Sequence, residues 1–444
     1  MLYSNLTFLL GFFPVLTLLS ILDRSAEYKN MLLIIGSVLF ISWGRPFYVS
    51  IILLFSLFDW LISLLMDKKC KGRNSKKALL ISDGLLNLFA LLFFTGKIFP
   101  AKMSAFASFE SVLPLCVTGI LLRGFSYTLS VYKGEIPAEK NYFCLLTYTS
   151  NLCLVGSGYL PEYKDSEPLI RKRKITPENF SCGLTKMFVG MGKIVILSGA
   201  FGLISSSCTE IQSWVVTAFG IFCYFAQYFF LFTGLWDMSQ GLGLTFGFDF
   251  KKNYKPVSAE KGLSSVVRNF NITLGDFLVK SAKTITEKKF AVVIFCGLCG
   301  FLYGKTPEFL CAGFLAGIVI LLELTVSGEK LKKIPAFVRG IYAFILVLLI
   351  FSLAYFNDFS CWLDFITFKN LSRFTVDSTL KNAVLNNLWL IIFSLFVAVK
   401  PLNEFVRKKA DRIQTKSTAF YKGVNAVKTV AVGLIFVASV ILSL

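Results

Sequence analysis

Long apolar runs separated by short clusters of lysine and arginine constrain this chain more than any other feature. MLLIIGSVLFISWG (31–44), AVVIFCGLCGFLYG (291–304) and IYAFILVLLIFSLAYF (341–356) lack the polar face that a water-soluble helix needs. With 55% hydrophobic residues and a mean hydropathy of +0.68 over 444 residues, the chain reads as a single membrane domain spanning 1–444. A window of roughly twenty apolar residues, relaxed for short spans, predicts about twelve helices: 6–22, 31–44, 47–66, 78–99, 113–131, 179–206, 213–232, 290–304, 308–328, 334–356, 385–399 and 424–444. The fold class is therefore all-α: a polytopic integral membrane protein with about 11–12 transmembrane helices plus re-entrant segments.

The net charge of +20 belongs to the loops. Basic clusters at Asp67–Lys77, Arg171–Lys174, 251–289, Glu329–Lys333 and 400–416 are assigned to the cytoplasmic side, next to anionic lipid headgroups; a nucleic-acid partner is excluded. Threading the helices through that rule puts the N-terminus outside and makes Tyr142–Leu160 enter and leave on the cytoplasmic side. It also places 357–384, polar and nearly uncharged, outside. Thr7–Leu22 lacks the basic start of a secretory signal and is read as a retained span.

The eleven cysteines lie mostly singly in apolar runs, as small buried thiols do. Cys296 and Cys299 form a C-x-x-C with no second pair, and there is no histidine in the chain, so no metal site is expected. The stretch Ala226–Asp276 opens in an apolar helix and runs through TGLWDMSQGLG. A polar, glycine-rich interval between apolar stretches predicts a non-helical or re-entrant break, and such backbone survives at membrane depth only beside protein or a cavity.

AQYFFLFTGLWDMSQGLGLTFGF, followed by NYKP and RNFNITL, resembles the membrane-bound O-acyltransferase family in its bacterial cell-envelope branch. Gln227, Phe230, Phe232, Gly234, Asp237, Met238, Gly241 and Gly243 match that branch's first motif, and Arg268 and Leu274 its second. Pro114, Ser126, Tyr127, Val131, Tyr132, Gly134 and Pro137 fit a further pattern without a gap. The likeness is strongest over 113–323. It implies a helical scaffold around a tunnel across the membrane, an acyl donor (acyl-CoA or an acyl-carrier protein), and a polysaccharide or teichoic acid acceptor at the bacterial cytoplasmic membrane.

The departures fall on the chemistry. Leu231 stands where the family has an aspartate, Asn271 and Tyr303 where it has histidines, and Ala316 at a second histidine position one helix on. Acyl transfer to a hydroxyl requires a base, a donor held in line and a group to stabilise the oxyanion. Imidazole is absent from these 444 residues. Tyrosine, with an ordinary pKa near ~10, is a poor base at neutral pH, so Tyr303 reads either as a catalytic substitute or as an aromatic filling the vacated volume. Cys299 is a possible thioester carrier with no base nearby in sequence. Asp237 is an acid at a membrane border, functional or capping. Arg268 is a partner for Asp237, an anion contact or a headgroup contact.

No catalytic residue is thus assigned with assurance; Gln227, Asp237, Arg268, Asn271 and Tyr303 are the candidates to line the tunnel or pocket. The leading reading is a scaffold that serves O-acylation without its own base, beside membrane lipids and a histidine-bearing paralogue or an extracytoplasmic transferase. The alternatives are an active O-acyltransferase using a non-histidine or a partner's base, and a transporter or flippase for a lipid-linked substrate.

Overall fold

The computed structural model of the protein describes residues 3–443 apart from 24, 44–47, 69–71, 95–112, 210–212, 256–261, 286–289, 304–306, 326–332, 357, 370–377 and 399–417. Among the described residues every regular element is a helix and none is a strand. In chain order these are α1 (Thr7–Leu22), α2 (Ala26–Ser42), α3 (Tyr48–Lys68), α4 (Arg73–Phe94), α5 (Leu113–Tyr132), α6 (Tyr142–Thr149), α7 (Leu152–Val155), α8 (Tyr163–Arg171), α9 (Pro177–Cys208) and α10 (Trp214–Thr245). They continue as α11 (Leu263–Phe270), α12 (Ile272–Ile285), α13 (Ala291–Tyr303), α14 (Pro307–Thr325), α15 (Ala336–Phe356), α16 (Phe359–Ile366), α17 (Ser378–Asn386), α18 (Leu388–Ala398) and α19 (Thr418–Ile441).

Each span predicted from the sequence coincides with a helix in its described part, except 385–399, which straddles the end of α17 and α18. Helices α9, α10, α14 and α15 are long and apolar enough to cross a membrane, and Thr7–Leu22, Tyr142–Val155, Ala291–Gly300 and Thr429–Ile441 are shorter apolar helices. Large side chains point outward from these helices, Phe337 at 79% exposure among them. Such a surface is stable against lipid and unfavourable against water, which makes this a multi-pass membrane protein. The basic stretches 329–332 and 400–416 lie outside the described residues.

The chain forms two compact units. The first comprises Met1–Met187 and Leu235–Lys251, the second Phe188–Gly234 and Lys252–Leu444. In the first unit, the segment expected to enter and leave the membrane on one side is a pair of short helices, α6 and α7, broken at Ser150 and Asn151. Asn141 caps α6 by accepting from Phe143 N–H at 3.0 Å, and Asn151 caps α7 by accepting from Cys153 N–H at 3.0 Å.

The carbonyls left at this break and beyond α7 find a donor in Arg123 of α5. Its guanidinium is fully buried; Nε donates to Thr149 O at 2.8 Å and Nη1 to Tyr159 O at 3.0 Å. Tyr3 holds the other side, donating its hydroxyl to Leu152 O and accepting from Gly156 N–H. Without these groups the carbonyls would be buried and unpaired, so Arg123→Met is expected to lower stability by roughly 2 kcal/mol or more, read as a fall in Tm of the detergent-purified protein.

Glu139, just before α6, gathers a second polar cluster. It accepts from Tyr163 Oη at 2.7 Å, from Arg171 Nη2 at 2.6 Å and from Asn141 N–H at 2.9 Å. Burial pulls the Glu139 carboxyl upward, but the Asn141 and Tyr163 hydrogen bonds and the Arg171 charge outweigh it and hold the group below the ordinary carboxylate range. A depressed carboxyl contributes stability above its unfolded value, near ~4.3, and loses that contribution as pH falls through its lower folded value. Acid denaturation of Glu139→Gln should therefore show a flatter fall in stability below about pH 4.3 than the wild type, measured by Tm against pH.

Candidate functional site

Helix α10 runs without interruption from Trp214 to Thr245, 32 residues and so about 48 Å long. The break expected at TGLWDMSQGLG is absent, because the glycines there serve close packing. In the first unit, a Cβ on Gly241 would lie 2.7 Å from Met187 N, and one on Gly183 would lie 3.0 Å from Thr245 N. In the second, a Cβ on Gly234 would lie 2.7 Å from Gly190 O. The polar residues are satisfied without unwinding the helix: Ser239 donates to Cys153 O, and Gln240 Nε2 to Lys251 O at 2.7 Å.

In the second unit, the loop after Lys251 is sewn to the elbow between α11 and α12. Asn253 is fully buried; its carbonyl accepts from Ile272 N–H at 2.8 Å, and its Oδ1 accepts from Thr273 N–H at 2.9 Å and Thr273 Oγ1 at 2.7 Å. Its Nδ2 donates to Asn271 Oδ1 at 3.1 Å. Lys255 N–H donates to Asn269 O at 2.9 Å. Asn271 is the non-helical residue between the two helices, and its Oδ1 also accepts from Leu274 N–H at 3.2 Å, an N-cap of α12.

The far end of α11 is fixed by Glu323 of α14, whose carboxylate accepts from Leu263 N–H and Ser264 N–H, each at 2.9 Å. A carboxylate suits the positive end of a helix. Gly262 at φ +88° makes the turn into α11, and any side chain there would meet Glu323 Oε1 at 2.9 Å.

These elements line a partly open cavity of about 200 Å³. Its walls are Phe225, Tyr228, Phe229 and Phe232 of α10; Val266, Val267, Asn269 and Phe270 of α11; Asn271 of the elbow; Leu274, Gly275 and Leu278 of α12; Cys296, Cys299 and Gly300 of α13; Phe309, Ala312, Gly313 and Ala316 of α14; and Val347, Ile350, Phe351 and Ala354 of α15. Aromatic rings dominate it: Tyr228 lies 6.2 Å from both Phe309 and Phe351, and Phe270 lies 6.0 Å from both Phe229 and Phe232. Among the described lining residues there is no carboxylate, and Lys255 is the single basic one.

Asn271, buried to 7% exposure, lines this cavity, as do Ala316, Cys299 and Gly300. Tyr303 is the last residue of α13, and its side chain lies outside the described ones. Gln227 is half-buried and lies against Gly202, whose Cβ would meet its Nε2 at 2.8 Å. Arg268 is 65% exposed and pairs with Asp276 at 2.8 Å. Asp237 is half-buried on α10 and belongs to the first unit.

Sequence reasoning missed Tyr228, Phe309 and the whole α15 wall. Phe225, Tyr228, Phe229 and Phe232 recur at helical spacing, a pattern legible in the sequence as one aromatic face.

The α13–α14 hairpin that forms one wall is packed backbone against backbone. A Cβ on Gly313 would lie 3.0 Å from both Gly297 Cα and Gly300 Cα, and one on Gly317 would lie 2.7 Å from Val293 Cα. Gly313→Val should therefore force the hairpin apart, costing about 1–3 kcal/mol and lowering Tm, while Gly433→Val, where a Cβ meets nothing within 4 Å, should leave Tm within a degree or so.

No family profile matches the chain. Among curated proteins it is similar to the probable alginate O-acetylase of Pseudomonas fluorescens, 23% identical over 367 residues that cover 79% of this chain and 71% of that protein. The probable alginate O-acetylase of Azotobacter vinelandii is 26% identical over 372 residues, 78% of this chain and 74% of its own. The peptidoglycan O-acetyltransferase of Helicobacter pylori is 21% identical over 391 residues, covering 75% and 72%. These relatives bear out the resemblance to the membrane-bound O-acyltransferases read from the sequence.

Proposed function

We propose that this chain, a relative of the bacterial membrane-bound O-acyltransferases, serves O-acylation of a cell-surface polysaccharide from the cytoplasmic membrane and does so without a base of its own. The relatives named for alginate and peptidoglycan O-acetylation support the polysaccharide. The observation that carries the reading is the cavity. Asn271 and Ala316, which stand where the resemblance places histidines, both line it, and no carboxylate joins them among the described residues.

An apolar space of about 200 Å³ has room for roughly six or seven water-sized groups, which suits a short acyl group. Asparagine donates and accepts hydrogen bonds but takes up no proton near neutral pH, and alanine does neither. Such a cavity holds and orients an acyl donor, acyl-CoA or an acyl-carrier protein, while the proton of the acceptor hydroxyl goes to a base on another protein. A histidine-bearing paralogue or an extracytoplasmic transferase is the partner this chemistry calls for, with a polysaccharide or teichoic acid as acceptor.

Reconstitution tests this directly. The purified chain in lipid nanodiscs, given radiolabelled acetyl-CoA and a polysaccharide acceptor, is expected to transfer no acetyl above background. Adding membranes from cells that carry the neighbouring envelope-acylation proteins is expected to restore transfer, and Ala316→Phe, which fills the cavity, to abolish the gain. Catalytic transfer by the chain alone would sink the base-free reading.

A further inference from the structure

A second polar site lies inside the first unit, where α3, α4 and α5 pack together and no role has been assigned. Asp59 of α3 and Asp83 of α4 are both buried, at 1% and 0% exposure. They are joined by Asn87 of α4, whose Nδ2 donates to Asp59 Oδ1 at 3.1 Å and lies 3.4 Å from Asp83 Oδ1. Both carboxyls thus share this one amide, while the Thr128 hydroxyl of α5 donates to Gly124 O at 3.2 Å. Asp59 is pressed against α5 at Gly124, where any side chain would overlap its carboxyl.

Two features set this cluster apart from a pair of capping acids. Two acids this deeply buried share a single amide donor, so desolvation and like-charge repulsion disfavour charge on both at once. In addition, Asn87, 6% exposed and facing both acids, leaves its Oδ1 without a donor, and Asp83 Oδ2 likewise has none. A buried carboxylate oxygen without a donor is costly, and a proton on the carboxyl removes that cost. Among the described residues neither acid forms an ion pair, and Arg123 of α5 donates instead to Thr149 O and Tyr159 O.

We propose that Asp59, Asp83 and Asn87 form a proton-binding site within the first unit, one proton being held between the two carboxyls. An alkali cation fits the geometry less well, since Asn87 turns its amide N–H₂, not its carbonyl oxygen, toward the acids. The site binds a proton in a chain that has no histidine. An acid placed at membrane depth is costly unless it is neutralised, and sharing one proton leaves the pair with at most one negative charge between them.

Infrared spectroscopy of the wild-type protein in nanodiscs tests the proposal without a variant. At neutral pH a protonated-carboxyl C=O stretch worth one group per chain is expected, moving on exchange into D₂O and on growth with isotope-labelled aspartate. The Asp59→Asn/Asp83→Asn double variant, whose amides keep the shape without the charge, is expected to lose the band entirely. Tm should not respond to replacing N-methylglucamine by sodium or potassium at constant ionic strength. Absence of an aspartate band in the wild type overturns the proposal, and an alkali-dependent rise in Tm with no band reassigns the site to a metal cation.

Discussion

A helix that ends inside a protein immersed in lipid leaves as many as four N–H or four C=O groups with no water to bind. The interior of each unit is built around a polar side chain that meets this need. In the first unit Arg123 takes the carbonyl of Thr149 at the break between α6 and α7 and that of Tyr159 beyond α7. In the second, Glu323 takes the first two N–H groups of α11, and Asn253 ties the elbow that starts α12. Broken helices persist because these three residues replace solvent. The elbow and the cavity it floors are a consequence of the last two.

The second requirement is close approach. Lipid tails are as apolar as leucine, so helices here gain little from hiding hydrophobic surface and associate through van der Waals contact between backbones brought near each other by small residues. Gly297, Gly300, Gly313 and Gly317 do this across the α13–α14 hairpin. Gly183 and Gly241 do it between α9 and α10 in the first unit. The cavity lies where the packing changes character: small residues bring α13 and α14 together, while the phenylalanines of α10 and α15 hold the opposite walls apart.

Helix positions were legible because a span is a property of local composition, and in their described parts the predicted spans fall on helices, 385–399 alone straddling two. The flanking lysines marked Tyr142–Leu160 as a segment apart, but its division into α6 and α7 follows from the caps at Asn141 and Asn151. The error at TGLWDMSQGLG has a physical cause: glycine plus polarity signals a break only if the polar groups lack partners along the helix. Ser239 and Gln240 find carbonyls at Cys153 and Lys251, residues distant in sequence that no local pattern reveals. The same reason hides α15, whose Val347, Ile350 and Phe351 look like any lipid-facing residues until the neighbouring walls are known. Asn271 was legible as a position by resemblance, but its surroundings were not.

Those surroundings bear on why asparagine suits that position. Asn271 sits at the start of α12, where its Oδ1 accepts Leu274 N–H and the Asn253 amide at once. Asparagine is among the best N-cap residues, because its short side chain carries an acceptor at the right distance from the first turn. A histidine offers its neutral nitrogen as an acceptor on a larger ring and keeps a proton to exchange; an asparagine exchanges nothing and caps better. Under the reading proposed here, the elbow has been settled in favour of geometry: the residue that fixes the helix start is retained in function while proton transfer is given up. Ala316 extends the same logic to the facing wall, where a small residue keeps the space open and nothing in its place reacts. Shape and reactivity are separable in such a site because the cavity is held by Glu323, Asn253 and the glycine hairpin, none of which needs an imidazole to do its part.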